Sequence, residues 1–252
     1  MGAAGRVELS VSTWRQPEPP LATPARTAVL ERVVDRILGF GSRRVRVAVD
    51  GLTAAGKTTV GHELARMLAD HGRVVLRASL DDFKRPWNER HLRDRLSGEG
   101  YYRNAGDHEA ARRLLLDPAG PAGSGVVALC AIDPITQIDH SQIVVQVPND
   151  GILIVDSVFA FRPELNGCWD LRIWMEIDPE LSVQRGLARN PVSYGAEDAE
   201  VVHRDRWLAG EQLYIAEINP RALADFVIDN RDLDNPVLLR DRPEIGGPIN
   251  PR

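Results

Sequence analysis

Val45-Arg46-Val47-Ala48-Val49-Asp50-Gly51-Leu52-Thr53-Ala54-Ala55-Gly56-Lys57-Thr58-Thr59 is the stretch whose reading decides the fold. Val45, Val47 and Val49 alternate with other residues, as in a buried strand. Gly51 to Thr58 then reads G-x-x-x-x-G-K-T, a phosphate-binding loop. Val60, Leu64, Met67 and Leu68 follow at helical spacing, and His71-Gly72 supplies a stop. Strand, Gly-rich turn and helix in that order let backbone N–H groups curl round phosphate oxygens at a helix N-terminus. Gly51, Thr53, Ala54, Ala55, Gly56, Lys57, Thr58 and Thr59 are therefore the candidate nucleotide contacts. Lys57 is placed to neutralise charge on the leaving γ-phosphoryl and Thr58 to ligate Mg²⁺. Of the 31 cationic side chains only Lys57 and Lys84 are lysine, so the loop keeps a compact ammonium in a chain that otherwise uses arginine.

Outward from the loop, strands and helices alternate. Residues 73 to 79 and 171 to 177 read as strands, and a last strand is expected around 224 to 228. Gly151-Ile152-Leu153-Ile154-Val155-Asp156 is a continuous apolar run, the pattern of a parallel strand buried on both faces. Thr23 and Pro24 open a helix with an apolar face from Val29 to Leu38. Asp107 caps a short helix, and a long helical stretch is expected near 198 to 217. Two β-like stretches near 125 to 132 and 142 to 147 suggest a hairpin outside the main sheet. The expectation is an α/β three-layer fold of the phosphate-loop NTPase type, with a mostly parallel sheet. The domain spans 23 to 240, with a hairpin insertion at about 125 to 147 and a lid at about 190 to 206. It is preceded by an N-terminal arm, 1 to 22, and followed by a tail, 241 to 252.

Composition narrows the class. The chain has 252 residues, 43% hydrophobic, with a net charge of −5 and no basic block, which argues against a nucleic-acid surface. Its two cysteines lack metal spacing and fit a reducing compartment. No stretch resembles a signal peptide or approaches 18 apolar residues, so a cytoplasmic protein with no membrane partner is expected.

Phosphoryl transfer needs carboxylates at the ends of the strands. Asp156 ends the most buried strand and is the candidate Mg²⁺ ligand, or else a turn cap. Asp81 and Asp82 follow the second strand; Asp81 is the candidate base for an acceptor hydroxyl, Asp82 a cap or supporting group. Asp50 fits a structural role better than a catalytic one. Arg185 and Arg189 share one helix face and are the candidate cations for the transferring group. Arg204 and Arg206 lie beyond the Gly- and Pro-containing segment 190 to 197, an Arg-flanked lid.

Together these segments resemble the uridine kinase and phosphoribulokinase family. The resemblance runs from about 44 to 237. It is carried by VAVDGLTAAGKTT, SLDDFKRP at 79 to 86, GEGYYRNAGDHEAARRLLLDP at 98 to 118, ILIVDSVFAFRPEL at 152 to 165, WDLRIWMEIDPELSVQRGLARN at 169 to 190 and ALADFVIDN at 222 to 230. It implies five parallel strands, ATP or GTP as donor with Mg²⁺, and a hydroxyl acceptor, uridine or cytidine first. It implies Asp81 as base, Asp156 at the metal and Asp107 on ribose hydroxyls, although Asp107 reads equally as a helix cap. Tyr101 and Tyr102 either stack on a base or pack the core, with Tyr102 carried as a substrate candidate. The departure is Ile132-Asp133-Pro134-Ile135-Thr136-Gln137. Asp133 is kept as a substrate candidate, but Ile132 and Gln137 stand where uridine kinases carry the base-reading Tyr and His. A sugar phosphate, pantothenate or a glycerate-like acid is the alternative acceptor. A regulatory NTPase is a further alternative, but the guanine-reading Asn-Lys-x-Asp is absent, since Lys84 sits in Phe83-Lys84-Arg85-Pro86. A homodimer is compatible with this reading and nothing in the sequence specifies it.

Overall fold

The computed structural model describes residues 5 to 14, 21 to 90, 96 to 189 and 198 to 243. Nine strands occur among them: β1 (Arg6–Leu9), β2 (Val45–Gly51), β3 (Val74–Ser79), β4 (Val126–Ala128), β5 (Val144–Gln146), β6 (Ile152–Asp156), β7 (Leu171–Glu176), β8 (Phe226–Asp229) and β9 (Val237–Asp241). Seven form one sheet in the order β1-β3-β6-β2-β7-β8-β9, parallel except for β9. β4 and β5 form the separate antiparallel hairpin.

The five expected strands are the centre of this sheet. β2 and β6 show why their sequences look as they do. Val45, Val47, Val49, Ile152 and Ile154 enter the core under α1 (Pro24–Gly39) and α2 (Lys57–Asp70), while Ala48, Leu153 and Val155 enter the core on the other face. Both faces are covered, so apolar residues run without a break. Apolar side chains form one cluster on each face of the sheet, and burial at roughly 25 cal/mol per Å² supplies most of what opposes chain entropy.

Two edge strands were not expected. The arm over 1 to 22 contributes β1, paired in parallel with β3 from Arg6↔Val74 to Leu9↔Arg77. β9 returns antiparallel to β8 and runs one residue past the expected domain end at 240. The sheet thus has seven strands rather than five. Both additions are short and half exposed, so they lack the apolar run or strict alternation that marks an interior strand.

Register brings the site together. Ser79 pairs with Asp156 across β3 and β6, and Val49 pairs with Asp156 across β2 and β6. The carboxyl ends of three adjacent strands therefore lie level, and the segments that leave them converge on one rim. α1 begins as expected, with the Thr23 side chain accepting from the Arg26 N–H. The stretch expected near 198 to 217 is helical from Ala199 to Ile218, with widened turns over Val202–Leu208. The expected lid segment 190 to 197 lies outside the described residues.

Candidate active site

The loop has the geometry that its glycines require. Gly51 has φ +150°, and a Cβ there would sit 2.6 Å from the Met175 carbonyl of β7. Gly56 has φ +88°, and a Cβ would sit 2.5 Å from Asn230 Nδ2. Ala54 is also left-handed, with φ +56°. Left-handed positions alternating with right-handed ones turn successive N–H groups to one concave side, a nest for anions. α2 starts at Lys57 and adds its N-terminal partial charge. Lys57 is buried and donates to the Leu52 carbonyl at 2.6 Å. Burial lowers its pKa, partly offset by the charges of Glu211, Asp50, Asp156 and Asp81.

Asp156 is held on three sides. Thr58 Oγ1 donates to Asp156 Oδ2 at 2.8 Å. Arg77, buried in β3, donates to Asp156 Oδ1 at 2.6 Å and to the Ile154 carbonyl at 2.6 Å. Ser79 Oγ donates to the Asp156 carbonyl at 3.3 Å. Thr58 and Asp156 are thus adjacent, as a hydroxyl and carboxylate pair for Mg²⁺ must be. No group of three or more His, Cys, Asp or Glu side chains among the described residues could hold a metal alone. That donor set suits Mg²⁺, which takes one or two protein oxygens and completes its shell with phosphates and water.

Asp81 leaves β3 on the same rim, in the turn Leu80–Phe83. Its side chain is 36% exposed and accepts an ion pair from Lys84 Nζ at 2.6 Å. Burial alone would raise its pKa; Lys84, Lys57 and Arg189 outweigh this and hold it below the usual carboxylate value. Beside it opens a pocket lined by Asp81, Lys84, Tyr101, Asp107, His108 and Phe159, among others. Asp107 caps its helix, accepting the Ala110 N–H through Oδ1 at 2.9 Å, and lines the pocket as well. Both readings of Asp107 are therefore compatible with its position. Lys84 was not singled out from sequence, yet both lysines of the chain lie on this rim. Their rarity was the available signal.

Three expected contacts, Tyr102, Asp133 and Arg185, are engaged elsewhere. Tyr102 is 2% exposed and packs against Phe159 and Tyr214, so it belongs to the core; Tyr101 is the tyrosine that lines the pocket. Asp133 is fully buried and its carboxylate accepts from Thr13 N, Thr13 Oγ1, Ile135 N and Thr136 N. Those bonds outweigh burial and hold its pKa well below the ordinary value. It is a turn anchor: Oδ1 accepts three of these bonds and Oδ2 the fourth, and the residue has no exposed surface to offer a substrate. Arg185 donates to the carbonyls of Asn230 and Arg231, at 3.0 and 2.7 Å, and so ties its helix, Pro179–Arg189, to the loop after β8. Arg204 is engaged by Glu180 and Glu200. Arg189 is exposed at the end of its helix, and its charge acts on Asp81 and His203. Arg206 lies over the Tyr101 ring, 5.6 Å from its centroid.

The loop also rests on residues that no local pattern marks. Glu211, 1% exposed, accepts from both Thr53 N, 2.8 Å, and Thr53 Oγ1, 2.5 Å. Burial raises its pKa to about 7, against the pull of Lys57. Asn230, fully buried, donates to the Ala55 carbonyl at 2.7 Å and accepts from Arg26, whose guanidinium also grips Glu63 at 2.7 Å. Asp50 is held by Gly51 N, Tyr214 Oη and Phe161 N, and burial raises its pKa to about 6. That supports the structural role expected for Asp50. Asp82 is buried, accepts from Ser10 Oγ at 2.9 Å, and is pushed up to about 7 by burial. Arg77 had a signal, as the one charge inside an apolar strand.

No protein-family model matches the sequence, and no curated protein matches it. Solved structures do match in fold. One, described as a possible uridine kinase from Bacillus stearothermophilus, is 20% identical, with a TM-score of 0.62 over 80% of this chain and 97% of that one. Another, a candidate fructose transport system kinase from Silicibacter sp. TM1040, is 21% identical, with a TM-score of 0.57 over 75% and 93%. At these identities the likeness is one of fold, and the α/β architecture with its mostly parallel sheet agrees with it. Among the described residues no helix is long and apolar enough to cross a membrane.

Proposed function

We propose that this chain is a small-molecule kinase that transfers the γ-phosphoryl of ATP or GTP to a hydroxyl of a small acceptor. One observation carries the reading: a phosphate loop with a Thr58–Asp156 pair shares its rim with a pocket that opens beside Asp81. A hydrolytic switch has no need of the second pocket. Lys57 and the loop amides would hold the phosphates, and Thr58 and Asp156 would hold Mg²⁺, which supplies charge neutralisation when bound. Asp81 accepts the hydrogen bond of the acceptor hydroxyl and orients it. A loose phosphoryl-transfer transition state asks little of a base before the bond to the leaving group has stretched, so a carboxylate of low basicity suffices. Arg189 adds positive charge near Asp81. The likeness to structures described as a possible uridine kinase and a sugar-transport kinase supports the class. Uridine and cytidine are the first acceptors to assay, with a sugar phosphate, pantothenate and glycerate beside them.

The test is ADP release from Mg·ATP with and without each acceptor. Acceptor-dependent release is expected. Asp81→Asn should lose transfer by roughly a hundredfold or more while keeping ATP affinity. Release that no acceptor stimulates would sink the reading, and a wild-type rate in Asp81→Asn would remove Asp81 from its role.

A further inference from the structure

We propose that the acceptor carries an anionic group, a carboxylate or a phosphate, and that Lys84 receives that group. The inference rests on the kinase reading and deepens it from a hydroxyl acceptor to a charged one.

Lys84 is the only lysine outside the phosphate loop, and it lines the acceptor pocket. Its ammonium pairs with Asp81 at 2.6 Å. The pair engages one Asp81 oxygen and leaves the other to accept from the acceptor hydroxyl, and it sets a cation beside the reacting atom. An anionic group next to that hydroxyl would meet the Lys84 ammonium, whose three donors on a flexible stem can serve Asp81 and the acceptor anion together.

The aromatic wall agrees. Tyr101 has Lys84 Nζ at 5.8 Å and the Arg206 guanidinium at 5.6 Å from its ring centroid. A cation already near this ring competes with a nucleobase for it and adds to the positive charge that an anion would meet. The hairpin agrees from the other side. Gln137 stands where a base-reading residue would be expected, and both ends of its amide are engaged. Its Nε2 donates to the carbonyls of Asp133 and Pro134, and its Oε1 accepts from the Trp87 N–H. Asp133 is fully buried and bonded to Thr13, Ile135 and Thr136. The segment is built to hold its own turn and the N-terminal segment.

The experiment uses the full chain with its donor site filled by Mg·AMP-PNP, so that anions do not report on the phosphate loop. Calorimetric titration compares matched probes: glycerate with glycerol, pantothenate with pantothenol, and ribose 5-phosphate with ribose, with uridine as the nucleoside. At least one anion is expected to bind more tightly than its neutral partner and than uridine. Lys84→Met should weaken that anion by roughly ten- to a hundredfold, the range of a lost charge-assisted hydrogen bond, and Lys84→Arg should restore part of it. Lys84→Met should affect the neutral partner less than the anion, so that the ratio of their affinities falls toward one. The inference is overturned if no anion exceeds its neutral partner, if uridine binds best, or if Lys84→Met leaves the anion unaffected. ADP release run in parallel separates the two claims. Transfer to uridine with no anion preference leaves the kinase standing and removes the charged acceptor, whereas nucleotide binding without any transfer removes the kinase.

Discussion

Gly56→Ala and Asn230→Ala form a double-mutant cycle whose outcome can be worked from the loop. Gly56 has φ +88°, where an L-residue costs about 1–2 kcal/mol. Its new Cβ would lie 2.5 Å from Asn230 Nδ2, so the amide must move and the Ala55 carbonyl loses its donor. A buried acceptor left unsatisfied costs about 1–3 kcal/mol, so Gly56→Ala should destabilise by about 2–5 kcal/mol. Asn230→Ala removes that same bond together with the one from Arg26, at 3.0 Å. Arg26 keeps Glu63 and the Leu233 carbonyl, which limits the second loss, and about 2–4 kcal/mol is expected. The Ala55 bond is thus lost in either single variant but can be lost only once. In the double variant the clash is gone and only the backbone term of Gly56→Ala remains. The two effects should fall short of additivity by that shared loss, about 1–3 kcal/mol. Urea unfolding of the four proteins measures this, with the midpoint and slope fitted separately. Additivity within about 0.5 kcal/mol would show that Asn230 does not brace the loop, and the account of why Gly56 is glycine would fail.

Glu211 should make nucleotide binding pH-dependent. Its pKa is about 7 while the Lys57 charge pulls it down. Phosphates that neutralise Lys57 remove that pull, so the pKa rises and a proton is taken up on binding near pH 7. Affinity for Mg·ATP should therefore fall as pH rises through 7, and Glu211→Gln should flatten the profile; calorimetry in two buffers of different ionisation enthalpy counts the proton. The same carboxyl affects folding with a definite sign: its raised pKa means the native state holds the proton more tightly, so its contribution is full below the unfolded value near 4.5 and is lost as pH rises through about 7. Deleting residues 1 to 14 removes β1 and the Ser10 and Thr13 bonds to Asp82 and Asp133. A loss of about 2–4 kcal/mol is expected for those buried carboxylates, with hydrogen exchange rising first in the turn after Asp133. Unchanged protection there would refute the bracing role of the segment.

Much of the central sheet was legible because its signals are local. β2 and β6 carry apolar runs, and the helix that follows the loop repeats at helical spacing. β1 and β9 were missed because an edge strand with one partner needs no such run. Asp156 could be placed on the rim because it ends a buried strand, and Asp81 because it follows one by two residues. Tyr102 was exchanged with Tyr101 because neighbouring residues on a short helix point in different directions, and only packing against Phe159 and Tyr214 separates them. Asp133 and Arg185 carry the right chemistry but spend it on backbone groups, which composition and spacing do not show.

By itself, then, the sequence determined a phosphate loop between a strand and a helix, since 3.6-residue and 2-residue periods and the freedom of Gly51 and Gly56 are properties of consecutive residues. Tertiary structure alone decided what braces that loop and what faces the acceptor. Asn230 meets Ala55 across 175 positions, and Glu211 meets Thr53 across 158. Lys84 takes its meaning from a pocket walled by segments that the level ends of β3, β6 and β2 bring together. Contacts of that separation depend on sheet order and register, which set the rim where the two lysines of the chain meet.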